Sequence, residues 1–174
     1  MHLNVEIKAR CDDRDRVRDV LENAGADFHG HDHQIDTYFC VSAGRLKLRQ
    51  GTIETALIHY ERPDQPGPKA SAVRLYQPVG PDQATRLREV LAAALETRVV
   101  VDKRREIYFL ENVKFHIDDV TALGEFVEIE AIDRDGRIGR DALQRQCEQW
   151  MRRLGIDPGD LVEQSYSDML ASQG

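Results

Sequence analysis

Strand after strand in this chain alternates apolar residues with full charges, and few folds can absorb that pattern. Val5 and Ile7 alternate with Glu6 and Lys8, and Leu46 and Leu48 with Arg45, Lys47 and Arg49. Val113, Phe115 and Ile117 alternate with Lys114, His116 and Asp118, and Val127 and Ile129 with Glu128 and Glu130. Lys103 and Arg105 share a face, as do Tyr60 and Arg62, while Arg74 sits between Val73 and Leu75. Side chains two apart on a strand point the same way. Each strand therefore has one oily face and one ionised face. For a single strand this describes an ordinary half-exposed sheet. As a set it says more, because serine, threonine and glutamine hardly occur at the polar positions. If the strands close into a barrel, the charged faces converge on one lumen. Charges there are costly unless they are paired or filled by a ligand.

The remaining sequence supplies enough strands for closure. Strand-like stretches cover 3–10, 35–41, 45–50, 54–61, 71–77, 99–110, 113–120 and 126–133, with Glu111-Asn112 near a hairpin turn. Helical patterns cover 12–26, 81–97, 140–154 and 159–170. The segment 63–68 holds Pro63, Pro66 and Pro68 and reads as a loop. About eight strands joined by short links, with about four helices, predict an α+β fold. The favoured form is an eight-stranded antiparallel β-barrel with helices packed outside. At 174 residues the chain is expected to form a single domain, 1–174.

Charged residues make up 32% of the chain, and that excess needs a location. The net charge of −7 argues against broad nucleic-acid binding, for which surfaces are basic. Cys11, Cys40 and Cys147 are odd in number and form no CxxC pair, as expected of reduced thiols. The first residues enter a strand pattern without the apolar stretch of a signal peptide. No apolar run approaches the ~20 residues that span a bilayer. A cytoplasmic protein without a membrane partner, monomeric or homodimeric, is the expectation.

A lumen carrying both basic and acidic groups suits a polyanion with metal ions. Arginine and lysine hold phosphate oxygens, and carboxylates hold the hard cations Mg²⁺ or Mn²⁺. At this point the order of motifs resembles a known family. Asn4-Val5-Glu6-Ile7-Lys8 resembles the ExExK signature of the CYTH family, the triphosphate tunnel metalloenzymes. The similarity continues through Gln34-Ile35-Asp36-Thr37-Tyr38-Phe39, Gly44-Arg45-Leu46-Lys47-Leu48-Arg49, Tyr60-Glu61-Arg62 and Lys69-Ala70-Ser71. It then runs through Lys103-Arg104-Arg105, 115–120, 123–130 and 165–170. The family comprises class IV adenylyl cyclases, thiamine triphosphatases and inorganic triphosphatases, built on a triphosphate tunnel of eight antiparallel strands.

The resemblance implies that Glu6, Glu128 and Glu130 bind Mg²⁺ or Mn²⁺, with Asp118 as a further ligand or as organiser of a metal-bound water. It implies a triphosphate clamp of Lys8, Arg45, Lys47, Arg49, Arg62, Lys69, Arg74, Lys103 and Arg105. Lys8 either belongs to the clamp or orients a carboxylate or the nucleophile, and Lys8, Asp118 and Glu130 are the catalytic candidates. One departure stands out: the first signature glutamate is Asn4 here. An amide oxygen still ligates a metal, but brings no charge.

Three readings follow from this chemistry. A triphosphatase directs water at the terminal phosphate. A class IV adenylyl cyclase directs a ribose hydroxyl at the α-phosphate of ATP, forming cyclic AMP and pyrophosphate. A non-catalytic module only binds the polyanion, and would not need the carboxylates. The substrate is expected to be ATP, thiamine triphosphate or inorganic triphosphate. Hydrolysis is the preferred reading, ahead of cyclisation and of the binding module, although positioning and charge neutralisation serve both reactions. His29, His31 and His33 read as a solvated loop, Trp150 and Met151 as helix packing, and His116 as a hydrogen-bonded barrel residue. Tyr38 and Tyr60 are candidates for the tunnel wall, and Tyr166 for packing at one mouth.

Overall fold

A computed structural model describes residues 2–61 and 68–173. Its strands are β1 (His2–Arg10), β2 (Asp27–Phe39), β3 (Arg45–Gly51), β4 (Thr55–Glu61), β5 (Lys69–Tyr76), β6 (Thr97–Leu110), β7 (Val113–Val120) and β8 (Gly124–Asp133). They close in the order β1-β5-β4-β3-β2-β6-β7-β8, with every neighbour antiparallel. The helices are α1 (Arg14–Asn23), α2 (Gly80–Ala94), α3 (Arg140–Arg153) and α4 (Tyr166–Ala171). The expected eight-stranded antiparallel barrel with external helices is therefore the fold.

The alternation decides which way the barrel faces. The apolar faces of β1, β7 and β8 point outward: Val5, Ile7, Ala9, Phe115, Ile117, Val127 and Ile129 are all buried in one cluster. Two helices cover them. α1 contributes Val17 and Leu21, and its start is capped by the Asp13 side chain, which accepts from Arg16 N. α3 contributes Leu143, Cys147 and Trp150, spaced to fall on one face. The Trp150 ring meets Phe115 edge-on at 4.7 Å. The main apolar core thus lies between sheet and helices, leaving the charged faces for the interior. No helix among the described residues is long and apolar enough to cross a membrane.

Several boundaries differ from expectation for local reasons. β2 begins at Asp27, so the segment carrying His29, His31 and His33 is strand, not loop. Its residues have little strand propensity, but β6 is long enough to pair with all of it, from Asp27↔Phe109 onward. A bulge at Gly30, whose φ is 123°, absorbs the register shift. α2 stops at Ala94 because Leu95 is already extended. The expected C-terminal helix is interrupted. A 3-10 turn at Pro158–Asp160 leads to Leu161, which bridges to Ala9, and Val162 N donates to Lys8 O. Those strand-like contacts leave only α4 helical. Arg62 and 63–67 of the expected loop lie outside the described residues.

Candidate active site

The charged faces converge on a cavity of about 520 Å³ inside the barrel. One hub lies on β2, where Asp36 is fully buried. It accepts from Arg49 Nε and Nη2 at 2.9 Å, from Lys47 Nζ at 2.9 Å and from Lys103 Nζ at 2.8 Å. Burial alone would raise its pKa. Arg49, Lys103 and Lys47 outweigh that and hold the carboxyl well below its usual range. Lys103 is pulled the other way: burial lowers its ammonium well below the usual value, although Asp36 supports the charge. Three cations from two strands, β3 and β6, are thus gathered on one carboxylate.

The opposite side is built by β1, β8 and β7. Register places Lys8 beside Glu128 and Glu128 beside His116, and Glu6 beside Glu130 and Glu130 beside Lys114. Glu128 meets Lys8 Nζ at 3.3 Å, Arg105 Nη2 at 2.7 Å and His116 Nδ1 at 3.1 Å. Burial opposes its charge, but Arg105 and Lys8 hold its pKa well below the usual range. A carboxylate only accepts, so His116 Nδ1 carries the proton and Nε2 is a bare lone pair. Burial, and then the Arg105 charge, lower the imidazole to about 4, so it is neutral at pH 7.

Buried polar atoms without partners lie on the same wall: Asn4 Oδ1, Ser71 Oγ and His116 Nε2. Such orphans call for an explanation, and an ion or water is the usual one. Asn4 Nδ2 donates to Glu130, which turns its amide oxygen away as a free acceptor. Glu6, Glu128, Glu130 and the Asn4 oxygen are the oxygen donors on this wall that a hard divalent cation would take. As they stand, no group of three or more His, Cys, Asp or Glu side chains among the described residues is placed to hold a metal ion. A cation held here would take further ligands from phosphate oxygens or water.

Among the described residues, the C-terminal segment packs against one end. Tyr166 donates to Asp118 Oδ2 at 2.7 Å, and Lys8 Nζ lies 3.9 Å above its ring. Asp168 accepts from Arg45 at 2.7 Å and Arg98 at 2.8 Å. Lys69 Nζ donates to the carbonyls of Val162 and Glu163. Tyr38, Tyr60, Ser165 and Tyr166 line this end and are all buried. At the other end Leu75, Gln77 and Arg134 are exposed, so the cavity meets solvent there.

A tight turn shapes that outer end. Buried Asp32 accepts from Thr52 Oγ1, Ile53 N, Glu54 N and Gln34 Nε2 at 2.7–3.0 Å. The turn packs so closely that a Cβ on Gly51 would meet Glu54 O at 2.5 Å. This presents Glu54 to the cavity, where Lys114 and Arg49 bond to it.

Of the residues proposed from sequence, Glu6, Lys8, Lys47, Arg49, Lys103, Arg105, Glu128 and Glu130 line the cavity together. Four described ones do not. Arg74 is exposed on the outer face, because Val73 and Leu75 take the inward positions. Arg45 is drawn to Asp168 of the C-terminal segment, and Lys69 is capped by main-chain carbonyls. Asp118 is fully buried behind the wall, its oxygens engaged by Arg105 at 2.6 and 2.5 Å and by Tyr166. It points inward in phase with Lys114 and His116, but Arg105 and Tyr166 cover it, and it orients Arg105. The sequence placed Lys114 on a charged face and Asp36 in a motif but gave neither a role, gave none to Glu54, and made His116 a hydrogen-bonded barrel residue. Lys114 and Asp36 each alternate in phase with recognised positions. Glu54 has no such signal, since a turn delivers it.

The sequence profile of the CYTH domain matches residues 2–166. A Methanocaldococcus jannaschii protein, named as a candidate adenylate cyclase, is 26% identical over 96% of this chain and 98% of its own length. A Pyrococcus horikoshii structure superposes with a TM-score of 0.77 at 26% identity, covering 97% of this chain and 98% of that one. A Hippeastrum protein, described as a candidate adenylyl cyclase with dominant triphosphatase activity, superposes with a TM-score of 0.62 at 14% identity. That match covers 99% of this chain and 95% of the other.

Proposed function

Because the chain belongs to the CYTH family, we propose that it is a divalent-metal-dependent phosphohydrolase acting on a triphosphate held in the barrel. One observation carries this reading. The cavity wall presents seven basic side chains (Lys8, Lys47, Arg49, Lys103, Arg105, Lys114, Arg134) against four carboxylates (Glu6, Glu54, Glu128, Glu130), in a protein whose net charge is −7. An acidic chain that concentrates positive charge inside a cavity is built for an anion.

The residues divide the work. Lys47, Arg49 and Lys103, already gathered by Asp36, hold phosphate oxygens from one side. Lys8 and Arg105 hold them from the other, with Arg105 fixed by Asp118 and Glu128. Burial of these cations raises their effect on charge developing at phosphorus. Glu6, Glu128, Glu130 and the Asn4 oxygen would hold Mg²⁺ or Mn²⁺, which neutralises phosphate charge and activates water when bound. His116 Nε2 offers a hydrogen-bond acceptor to water or a substrate hydroxyl.

The name of the 26% identical Methanocaldococcus jannaschii relative favours a second reading, cyclisation of ATP to cyclic AMP and pyrophosphate. A product assay with ATP, thiamine triphosphate and inorganic triphosphate, each with Mg²⁺ and with Mn²⁺, separates the two. Orthophosphate release without cyclic nucleotide is expected. Cyclic AMP as main product would replace hydrolysis with the second reading, and no product from any substrate would leave only a binding module. The Glu130→Gln variant should keep its circular dichroism spectrum and lose at least ~100-fold in turnover, since a transition-state charge partner is gone. Near-wild-type turnover would remove Glu130 from the machinery.

A further inference from the structure

One ion pair crosses the lumen instead of running along its wall. Glu54 stands on the β3–β4 turn, and its Oε1 accepts from Lys114 Nζ on β7. In the closed strand order β2 and β6 separate β3 from β7 on one side, and β5, β1 and β8 separate β4 from β7 on the other. The pair therefore joins opposite sides of the barrel. Its depth follows from register. The inward residues of β7 run Asp118, His116, Lys114, while Lys103 and Arg105 on β6 pair with Val120 and Asp118. At the usual rise per strand residue, Lys114 stands ~13 Å further along than Asp118. Lys114 pairs with Glu130, and Arg134 at the opening lies four residues beyond Glu130. The bar of Glu54 and Lys114 thus lies between Arg105 and the solvent.

Both oxygens of Glu54 are engaged. Oε2 lies 3.4 Å from Arg49 Nη1 and 3.4 Å from Gln34 Nε2. Burial opposes the charge, but Lys114 and Arg49 hold the carboxyl below its usual pKa range, so it is ionised at neutral pH. Lys114, the cation it occupies, is withdrawn from phosphate. A phosphate chain gripped by Lys47, Lys103 and Arg105 can extend outward only until it meets this fixed negative charge. One more phosphate there faces a carboxylate at close range in a half-buried site, where like charges repel more strongly than in water. A repulsive group placed against the wrong ligand is a general route to specificity. Resting on the triphosphate reading above, we propose that Glu54 sets the upper length of the phosphate chain, admitting a triphosphate and rejecting longer inorganic polyphosphates. The turn anchored by Asp32 fixes the carboxylate at that depth, so it acts as a stop and not as part of the grip.

The test is equilibrium binding by calorimetry, in chelator so that no turnover occurs, with inorganic triphosphate and inorganic tetraphosphate as probes. Wild type should bind triphosphate at least as tightly as tetraphosphate, although tetraphosphate carries more charge. Glu54→Gln keeps the size of the side chain and an acceptor oxygen, and removes only the charge. In this variant the affinity for tetraphosphate relative to triphosphate should rise at least about fivefold, with triphosphate itself within about threefold of wild type. Glu54→Ala should show the same relative rise. A smaller rise in either variant overturns the proposal, because the charge then does not read chain length. So does a wild type that favours tetraphosphate, or a loss of both probes alike in the variants, which would make Glu54 a support of the grip. If wild type binds neither probe, the phosphate clamp itself fails, and with it the reading on which this one rests.

Discussion

Asp36 is a single carboxylate that holds Lys47, Arg49 and Lys103 in one place. Removing its charge leaves three cations in a buried cavity with no shared counter-ion. Asp36→Asn should therefore lose about 3–5 kcal/mol of stability, readable by urea denaturation. The same variant should gain a larger rise in melting temperature from inorganic triphosphate than wild type does, because the anion then supplies the missing charge. An equal or smaller rise would show that the three cations do not face a phosphate site. His116 gives a separate handle on pH. Its folded pKa is lowered to about 4 from 6.5, so the unfolded chain binds more protons between those values. Stability contributed by the neutral ring is complete above pH 6.5 and is lost as pH falls toward 4, by about 3 kcal/mol in all. In chelator, His116→Gln should flatten the stability profile between pH 6.5 and 4. An unchanged slope would mean that the ring titrates normally.

At the scale of elements, strands set direction and turns set position. The inward residues of β1, β3, β6, β7 and β8 were legible in the sequence because period-2 alternation needs no tertiary information. The β3–β4 turn was not legible. Glu54 reaches the cavity because Asp32, twenty-two residues earlier, accepts its main-chain N–H and that of Ile53. Asp32→Ala should cost on the order of 2–3 kcal/mol by stranding those donors, and should weaken triphosphate binding through displaced Glu54, Lys114 and Arg49. Wild-type stability in this variant would deny the turn its anchoring role. The same logic explains Arg74. Its charge suggested the clamp, but it is out of phase with Val73 and Leu75, and phase outranks residue type on a strand. The C-terminal segment was misread as one helix because its strand-like pairing with β1 leaves no local signature. The three histidines of β2 were misread as loop for the same reason, their strand being imposed by β6.

For the molecule as a whole, acidic residues outnumber basic ones, yet the cavity wall carries more basic than acidic side chains. A chain of net charge −7 encloses a wall with an excess of basic groups, so anions are repelled at a distance and held at close range. Binding of inorganic triphosphate should consequently weaken less with added salt than binding to an exposed basic patch, since buried pairs are screened less. A loss of several hundredfold between 50 and 200 mM salt, on the order seen for surfaces that neutralise many exposed phosphates, would contradict a buried clamp. The barrel's existence, its polarity and most of the charged side chains lining its cavity followed from alternation and from motif order. The packing at one end depended on contacts among β1, Lys69, Asp118 and residues 161–168 that no local pattern encodes.

Among the described residues, that packing leaves the cavity meeting water where Leu75, Gln77 and Arg134 lie. If a triphosphate is cleaved inside, the fragment lodged deepest, against Lys8, Lys103 and Arg105, has the longest way out. Until it leaves, no fresh molecule takes its place, and the spent fragment should compete with the next arrival.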